Sequence, residues 1–341
     1  MTASRGADAP RRPTLDMVAQ EAGVTRSTVS RAINGEPDVS SATIKVVEDA
    51  IAKLGYVPNQ AARALVSRRS MAIALIIPES ADMFLDDPHL VTLMAGASHR
   101  LEESEYILSL IVNAEDPNGK LMRYLSSGAI DGGLIASHHN RNDELLRLRD
   151  SFPIVFGGRP TDDPKLGSPW VDVDNRAAAT QATQRLIDIG RRRIGTITGP
   201  LDMRSGTERL DGWRDAVTAA GLDDSGVEFA DFRSEGGREA ARRLFERFPD
   251  LDGVFVANDT MANAVIAVLL QEGRSVPGEV AVVGFDDSTV AQLGPVPLTT
   301  VRQPSLDMGW RMADLLLRTL DGESVEQANM MTTELVVRDS A

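Results

Sequence analysis

Apolar positions follow two different regimes along the chain, and the change comes near residue 71. In the first stretch they recur at helical spacing. Leu15, Val18, Ala19 and Ala22 share one face of a short helix that Thr14 can cap. Gly23 follows at once, where a left-handed residue would end that helix. Thr25 is a second cap candidate, and Val29, Ala32 and Ile33 form the inward stripe of a second short helix. Two short helices joined by about four residues that include a glycine must cross steeply, the helix-turn-helix arrangement. A third helix is expected after Ser40, with Val47, Ala50, Ile51 and Leu54 inward and Gly55 at its end. Beyond Pro58, Asn59 can cap a helix from Gln60 to Val66. Nucleation is unfavourable below ~12 residues, so that helix is expected to form only where a partner supports it. Ser67 to Ser70 make a polar, basic linker.

From Ala72 onward, apolar runs alternate with helical segments. The runs Ala72–Ile77, Tyr106–Val112, Gly132–Ala136 and Ile154–Phe156 read as strands, with helices near Leu90–Glu103 and Met122–Leu125. A second series follows at Ile194–Thr198, Val227–Phe229, Gly253–Val256 and Val280–Gly284. Strands alternating with helices predict parallel sheets covered on both faces, and two such series predict paired lobes with a cleft between them.

Charge sharpens the division. The net charge is −14, which taken alone argues against a nucleic-acid partner. Yet residues 1–70 hold ten Lys/Arg against seven Asp/Glu, a net of +3, so the remainder carries −17. A basic end on an acidic body fits a DNA-touching head. In a helix-turn-helix the second helix enters the major groove. Arg26, Ser27 and Arg31 are therefore the base-contact candidates, since arginine suits bidentate contact with guanine. Thr25, Thr28, Ser30 and Asn34 are short hydrogen-bonders suited to phosphates.

At these residues the chain resembles the LacI/GalR family of bacterial transcription regulators. The run Thr14 to Asn34 carries the likeness, with Val39-Ser-Ser-Ala-Thr43 and Leu54-Gly-Tyr-Val-Pro-Asn-Gln-Ala-Ala-Arg-Ala-Leu65. Met17 and Ile44 depart from the family pattern, where Asp and Arg are usual. The resemblance implies that paired hinge helices enter the minor groove at an operator's centre through Asn59, Arg63 and Leu65. Leu65 would be the apolar wedge that bends the duplex.

Open parallel sheets bind ligands beyond the carboxyl ends of their strands. Glu79, the Gly157-Gly158-Arg159 turn, Asn258-Asp259 and Asp286-Asp287 follow such ends, and Arg209 and Trp213 begin the helix after Gly199. Carboxylates, amides and an arginine suit the vicinal hydroxyls of a sugar. The stretches Arg209-Leu-Asp-Gly-Trp213, Asn258-Asp-Thr-Met-Ala262, Gly284-Phe-Asp-Asp287 and Pro297-Leu-Thr-Thr-Val-Arg-Gln303 are similar to the family's effector domain. That likeness makes Arg209, Asn258, Asp286 and Gln303 ligand-site candidates. Glu79 and Arg159 resemble a sugar-responsive branch, and Trp213 either lines the site or packs beneath it. Gly158 stands where some relatives carry a sugar-binding Asp. Asp259 is expected to cap the helix Thr260–Gln271, and Asp287 to cap a turn.

Other classes lack their chemistry. The chain has no cysteine, so thiolate metal sites and disulfides are excluded. Neither nucleotide fingerprint occurs, nor a Gly-x-Ser-x-Gly elbow, so no enzyme is expected. His138 and His139 read as surface loop residues, and no metal or cofactor is anticipated. No run of about 18 apolar residues and no signal-like N-terminus occur, which points to the cytoplasm, at the nucleoid.

The expected organisation is a disordered arm at 1–13, a helix-turn-helix head at 14–57, a hinge helix and linker at 58–70, and a body at 71–341. The body should hold two doubly wound parallel-sheet lobes of periplasmic-binding-protein-like type. The expected protein is a homodimeric repressor on a palindromic duplex operator, controlled by a carbohydrate in its cleft, without a membrane role. The alternative is a cytoplasmic sugar-binding or sugar-modifying protein with no DNA role.

Overall fold

The computed structural model describes residues 13–33, 36, 38–56, 69–113, 116, 118–139, 148–160 and 167–341. The expected arm (apart from Pro13), Asn34 and the hinge residues Asn59, Arg63 and Leu65 lie outside them. By internal contacts the chain divides into two units, Met1–Ser70 and Met71–Ala341. Among the described residues no helix is long and apolar enough to cross a membrane.

The first unit holds α1 (Leu15–Ala22), α2 (Arg26–Ile33) and α3 (Ser41–Leu54). Each start is set by a hydroxyl: Thr14, Thr25 and Ser40 accept backbone N–H bonds from Met17, Thr28 and Thr43. Gly23 and Gly55 end α1 and α3 at φ +66° and +59°, a left-handed geometry that costs a residue with a Cβ about 1–2 kcal/mol. Val18, Val29 and Val47 are at most 1% exposed and form the centre, with Ala19, Ala22 and Ala50 around them. Ile51 and Leu54 pack only at its margin. So small a core binds the three helices through very few side chains.

The second unit has two six-stranded sheets. The first contains β1 (Ala72–Ile77), β2 (Ile107–Val112), β3 (Gly132–Ala136), β4 (Ile154–Gly157), β5 (Trp170–Val173) and β11 (Ala328–Met331), in the order β11-β5-β4-β3-β1-β2. The other contains β6 (Ile194–Thr198), β7 (Val227–Phe229), β8 (Gly253–Val256), β9 (Ala281–Asp286), β10 (Thr299–Arg302) and β12 (Glu334–Val336), ordered β12-β10-β9-β8-β6-β7. Every pairing is parallel except β10 with β12. Four strands escape the apolar-run pattern, namely β5, β10, β11 and β12. They are three or four residues long and carry polar residues such as Asp172 and Arg302. Strand β9 runs two residues further than its apolar run suggests and so ends on Asp286.

Helices cover both sheets: α4 (Ala81–Asp86), α5 (Pro88–Leu101) and α6 (Lys120–Leu125) follow strands of the first. The second is covered by α7 (Asn175–Asp188), α8 (Arg204–Ala219), α9 (Ser234–Arg247), α10 (Asp259–Gln271) and the short α11 (Val290–Leu293). The last helix, α12 (Ser305–Leu320), returns to the first lobe, where Met308, Met312 and Leu315 join the core of Ile73, Leu75 and Leu134. The chain therefore changes lobe three times, after β5, after β10 and between β11 and β12.

Helices α5 and α12 meet backbone to backbone. A Cβ on Gly96 would fall 1.9 Å from the Leu306 carbonyl oxygen, and one on Gly309 would fall 1.9 Å from that of Leu93. No rotamer relieves such a clash, because the obstacle is main chain. Gly309→Ala should therefore destabilise the second unit by about 1–3 kcal/mol or more. The measurement is the urea midpoint of the body, and an unchanged midpoint would contradict the close approach.

Candidate DNA-contact face and ligand cleft

In the first unit, α2 turns Val29 inward and leaves Arg26, Ser27 and Arg31 exposed. Ser27, Ser30 and Arg31 are spaced by three and four, so they share one helix face. Thr25 sits at the helix start, where its hydroxyl also meets those of Ser27 and Thr28 at 2.8 and 2.9 Å. Arg26 pairs with Asp16 at 3.6 Å, both side chains 69% exposed. An exposed pair is worth about 0–1 kcal/mol, so a phosphate or base edge can displace it.

The second unit has a cleft at the carboxyl ends of both sheets, lined by Asp87, Ser137, His138, Gly158, Arg159 and Asp172 from one lobe. Asn175, Arg204, Arg209, Phe232, Asn258, Asp286 and Gln303 complete the walls. The space, counted together with the solvent at its mouth, is about 740 Å³.

Its centre is Arg209, 5% exposed on the first turns of α8. Burial draws its pKa down, and the Asp286 carboxylate opposes that shift. Arg209 donates to Asn175 Oδ1 at 2.9 Å and to the Ala257 carbonyl at 2.6 Å, and its plane lies 3.7 Å from the Phe285 ring centre. Asp286 stands 3.6 Å away, an ion pair, and accepts from Gln303 Nε2 at 2.5 Å. Burial pushes Asp286 well above the usual carboxylate range, against the pull of Arg209. Asp286 and Asp287 hold φ of +113° and +52°. Such backbone costs about 1–3 kcal/mol per residue and gathers at functional sites. Asn258 caps α10 by accepting from Met261 N, and its amide donates to the Phe232 carbonyl.

Arg159, Arg209, Asn258, Asp286 and Gln303 thus come together on the cleft wall. Glu79 does not reach that wall. It lies behind Ser137 and accepts from Ser137 Oγ at 2.8 Å and His139 Nε2 at 2.7 Å. Trp213 is fully buried among Ala179, Val217 and Phe255, one helical turn deeper than Arg209, so it packs beneath the site and does not line it. Asp259 is no cap, since Asn258 has that place. It binds Thr300 Oγ1 and Ser288 N, and burial pushes its pKa up to about 7. Asp287 braces Arg302 and Arg338, not a turn.

The two histidines are not surface residues. His139 is 7% exposed between Glu79 and Asp202, and its pKa is raised chiefly by the hydrogen bond to Glu79. His138 faces the cleft, edge-on to Phe156 at 5.5 Å. Burial lowers its pKa to about 4, with the neighbouring His139 adding to the shift. Imidazole in an unfolded chain titrates near 6.5. Stability from His138 is therefore full above that value and is lost as pH falls toward 4. His138→Gln should gain about 2 kcal/mol on wild type between pH 7.5 and pH 5. Urea titrations at the two pH values measure this, and parallel changes in both proteins would contradict it.

Asp87, His89, Asp172 and Asn175 were not foreseen from sequence. Asp87 caps α5 ahead of Pro88, a signal present in the sequence, and burial pushes its pKa up to about 6. His89 bonds Ser305 Oγ at 2.7 Å and is lowered to about 4 by burial. Asp172 lies in β5 and Asn175 just beyond it, and β5 is a strand without an apolar run; Asp172 accepts from Arg159 N, Val173 N and Asn175 Nδ2.

Comparison with known proteins agrees with this architecture. The sequence profile of bacterial regulatory proteins of the lacI family matches residues 14–59. That of a periplasmic binding protein-like domain matches residues 183–341. The chain is 45% identical to the HTH-type transcriptional regulator CelR of Thermobifida fusca, over 97% of this chain and 98% of that one. It is 32% identical to the ribose operon repressor of Bacillus subtilis, over 89% and 90% of the two chains. A solved transcriptional regulator CelR–cellobiose complex superposes with a TM-score of 0.76 at 43% identity, covering 97% of this chain and 100% of that one. A lac repressor dimer bound to operator and the anti-inducer ONPF superposes at 0.84 over 97% and 99% of the chains; at 24% identity that likeness concerns the fold alone. The three-helix head, the two parallel-sheet lobes and these matches together place the chain in the lacI family of bacterial regulatory proteins, DNA-binding regulators of transcription.

Proposed function

We propose that this regulator is a repressor whose hold on a near-palindromic operator is set by a neutral sugar in the cleft, with cellobiose the first candidate. The observation that carries the reading is the buried Arg209–Asp286 pair, with Asn175, Asn258 and Gln303 converging on one pocket. Arginine offers a fork of donors, the carboxylate accepts, and the amides do both, which suits adjacent hydroxyls. The likeness to a CelR–cellobiose complex at 43% identity supports a glucose-based disaccharide.

Two chains present two α2 helices to successive half-sites, with Arg26, Ser27 and Arg31 at base edges and Thr25, Thr28, Ser30 and Asn34 at the backbone. Asn59, Arg63 and Leu65 complete the contact in the minor groove. The protein acts at the nucleoid in the cytoplasm and performs no reaction. Coupling of this kind is typically ~1–3 kcal/mol, or about 5–150-fold in affinity.

The test is selection from a randomised duplex pool, followed by affinity measurement at fixed salt with and without cellobiose. Enrichment of one near-palindrome, released by the sugar, is the expected result. A pool without enrichment overturns the DNA reading, and an enriched site indifferent to mono- and disaccharides overturns the sugar reading.

A further inference from the structure

The cleft does not end at Arg159 and Arg204. A second space of about 1,310 Å³, open to solvent, adjoins it, and Arg159, Asp172 and Arg204 line both. Its further walls come from Asp174 and Arg176 beside the start of α7, from Thr207, Glu208 and Asp211 on α8, and from Met330 on β11.

Glu208 holds the wall between the two spaces. Its carboxylate, 15% exposed, accepts from the Arg159 guanidinium of the opposite lobe and from Arg204 Nε at 2.8 Å on its own helix. One carboxylate thus draws two guanidiniums into a clasp.

The outer lining discriminates among ligands. Four carboxylates, Asp172, Asp174, Glu208 and Asp211, face three guanidiniums. Those guanidiniums are engaged: Arg176 binds Asp215 through two bonds of 2.6 and 2.8 Å, and Arg159 and Arg204 bind Glu208. A sugar phosphate would therefore meet a wall of its own sign, whereas a neutral polyol would not. Asp211, 48% exposed, meets Arg214 at 3.7 Å and can accept from a hydroxyl. Met330, 52% exposed, offers an apolar edge for one face of a pyranose ring.

We infer that the outer space is a subsite for the extension of a neutral oligosaccharide longer than a disaccharide, and that the Glu208 clasp governs passage into it. This rests on the carbohydrate reading of the inner cleft. The test is titration calorimetry with cellobiose and with its four-glucose homologue, on wild type, Glu208→Gln and Asp211→Asn. The quantity read is the preference for the longer sugar, the ratio of the two dissociation constants. Loosening the clasp in Glu208→Gln should raise that preference about fivefold, and replacing the charged outer acceptor by the weaker neutral amide oxygen in Asp211→Asn should lower it about threefold, since hydrogen bonds to charged groups are the stronger. Opposite displacements by residues three apart on one helix would not follow from general loosening of α8. A preference that stays put in both variants, or moves the same way in both, overturns the inference while leaving cellobiose binding intact. Failure of wild type to bind either sugar overturns the carbohydrate reading and this inference with it.

Discussion

Arg209→Leu is expected to lower sugar affinity by about two orders of magnitude, since truncating one member of a buried hydrogen-bonded charge pair costs 2–5 kcal/mol or more. The same substitution should cost the second unit about 3–5 kcal/mol of stability, because it leaves Asp286 buried without its opposite charge. The two effects can be separated. Adding Asp286→Asn removes the uncompensated charge while keeping the shape, so most of the stability should return. Sugar affinity should not, because the fork of donors is still missing. Calorimetric titration and urea unfolding on the single and double variants decide the matter. Joint recovery of both properties would make Arg209 a structural brace with no ligand role.

The second large effect is expected in the head. Arg31→Ala should weaken operator binding by about 1–3 kcal/mol per half-site, and a symmetric dimer presents the residue twice, for about 2–6 kcal/mol in all. Preference at the contacted base pair should relax, while binding to random duplex at the same salt changes far less. Side-by-side anisotropy titrations on operator and random duplex provide the comparison. Equal losses on both would make Arg31 a phosphate contact, as its exposure alone permits. Sugar binding should be unaltered in either case.

Legibility in the sequence varied with how local the cause was. The three caps of the head and the left-handed Gly23 and Gly55 act within a few residues, and each was readable from its own neighbourhood. Strands buried on both faces declare themselves as apolar runs, which is why β1, β3 and β8 stood out. Strand β5 did not, since Trp-Val-Asp-Val alternates over only four residues, and Asp172 and Asn175 were missed along with it. Arg209, Asn258, Asp286 and Gln303 were found through family likeness more than through periodicity. The histidines show the opposite limit. What buries His139 is a carboxylate 60 residues earlier and another 63 residues later, and nothing near His139 in sequence announces either. Glu79 was placed at the ligand for the related reason that its strand end points toward the cleft, while Ser137, which donates to it, stands in between.

The threefold exchange of chain between lobes also governs the order in which the protein can be made. Residues 71–173 supply five strands of the first sheet, yet its core waits for Met308, Met312 and Leu315, and its outer strand for Ala328–Met331. At about 5–20 residues per second on the ribosome, the earlier half stands with an uncovered apolar face until nearly the whole message has been read. A nascent chain of this design invites chaperone attention at its middle, and a stop codon shortly before residue 328 would strip an edge strand from each lobe at once.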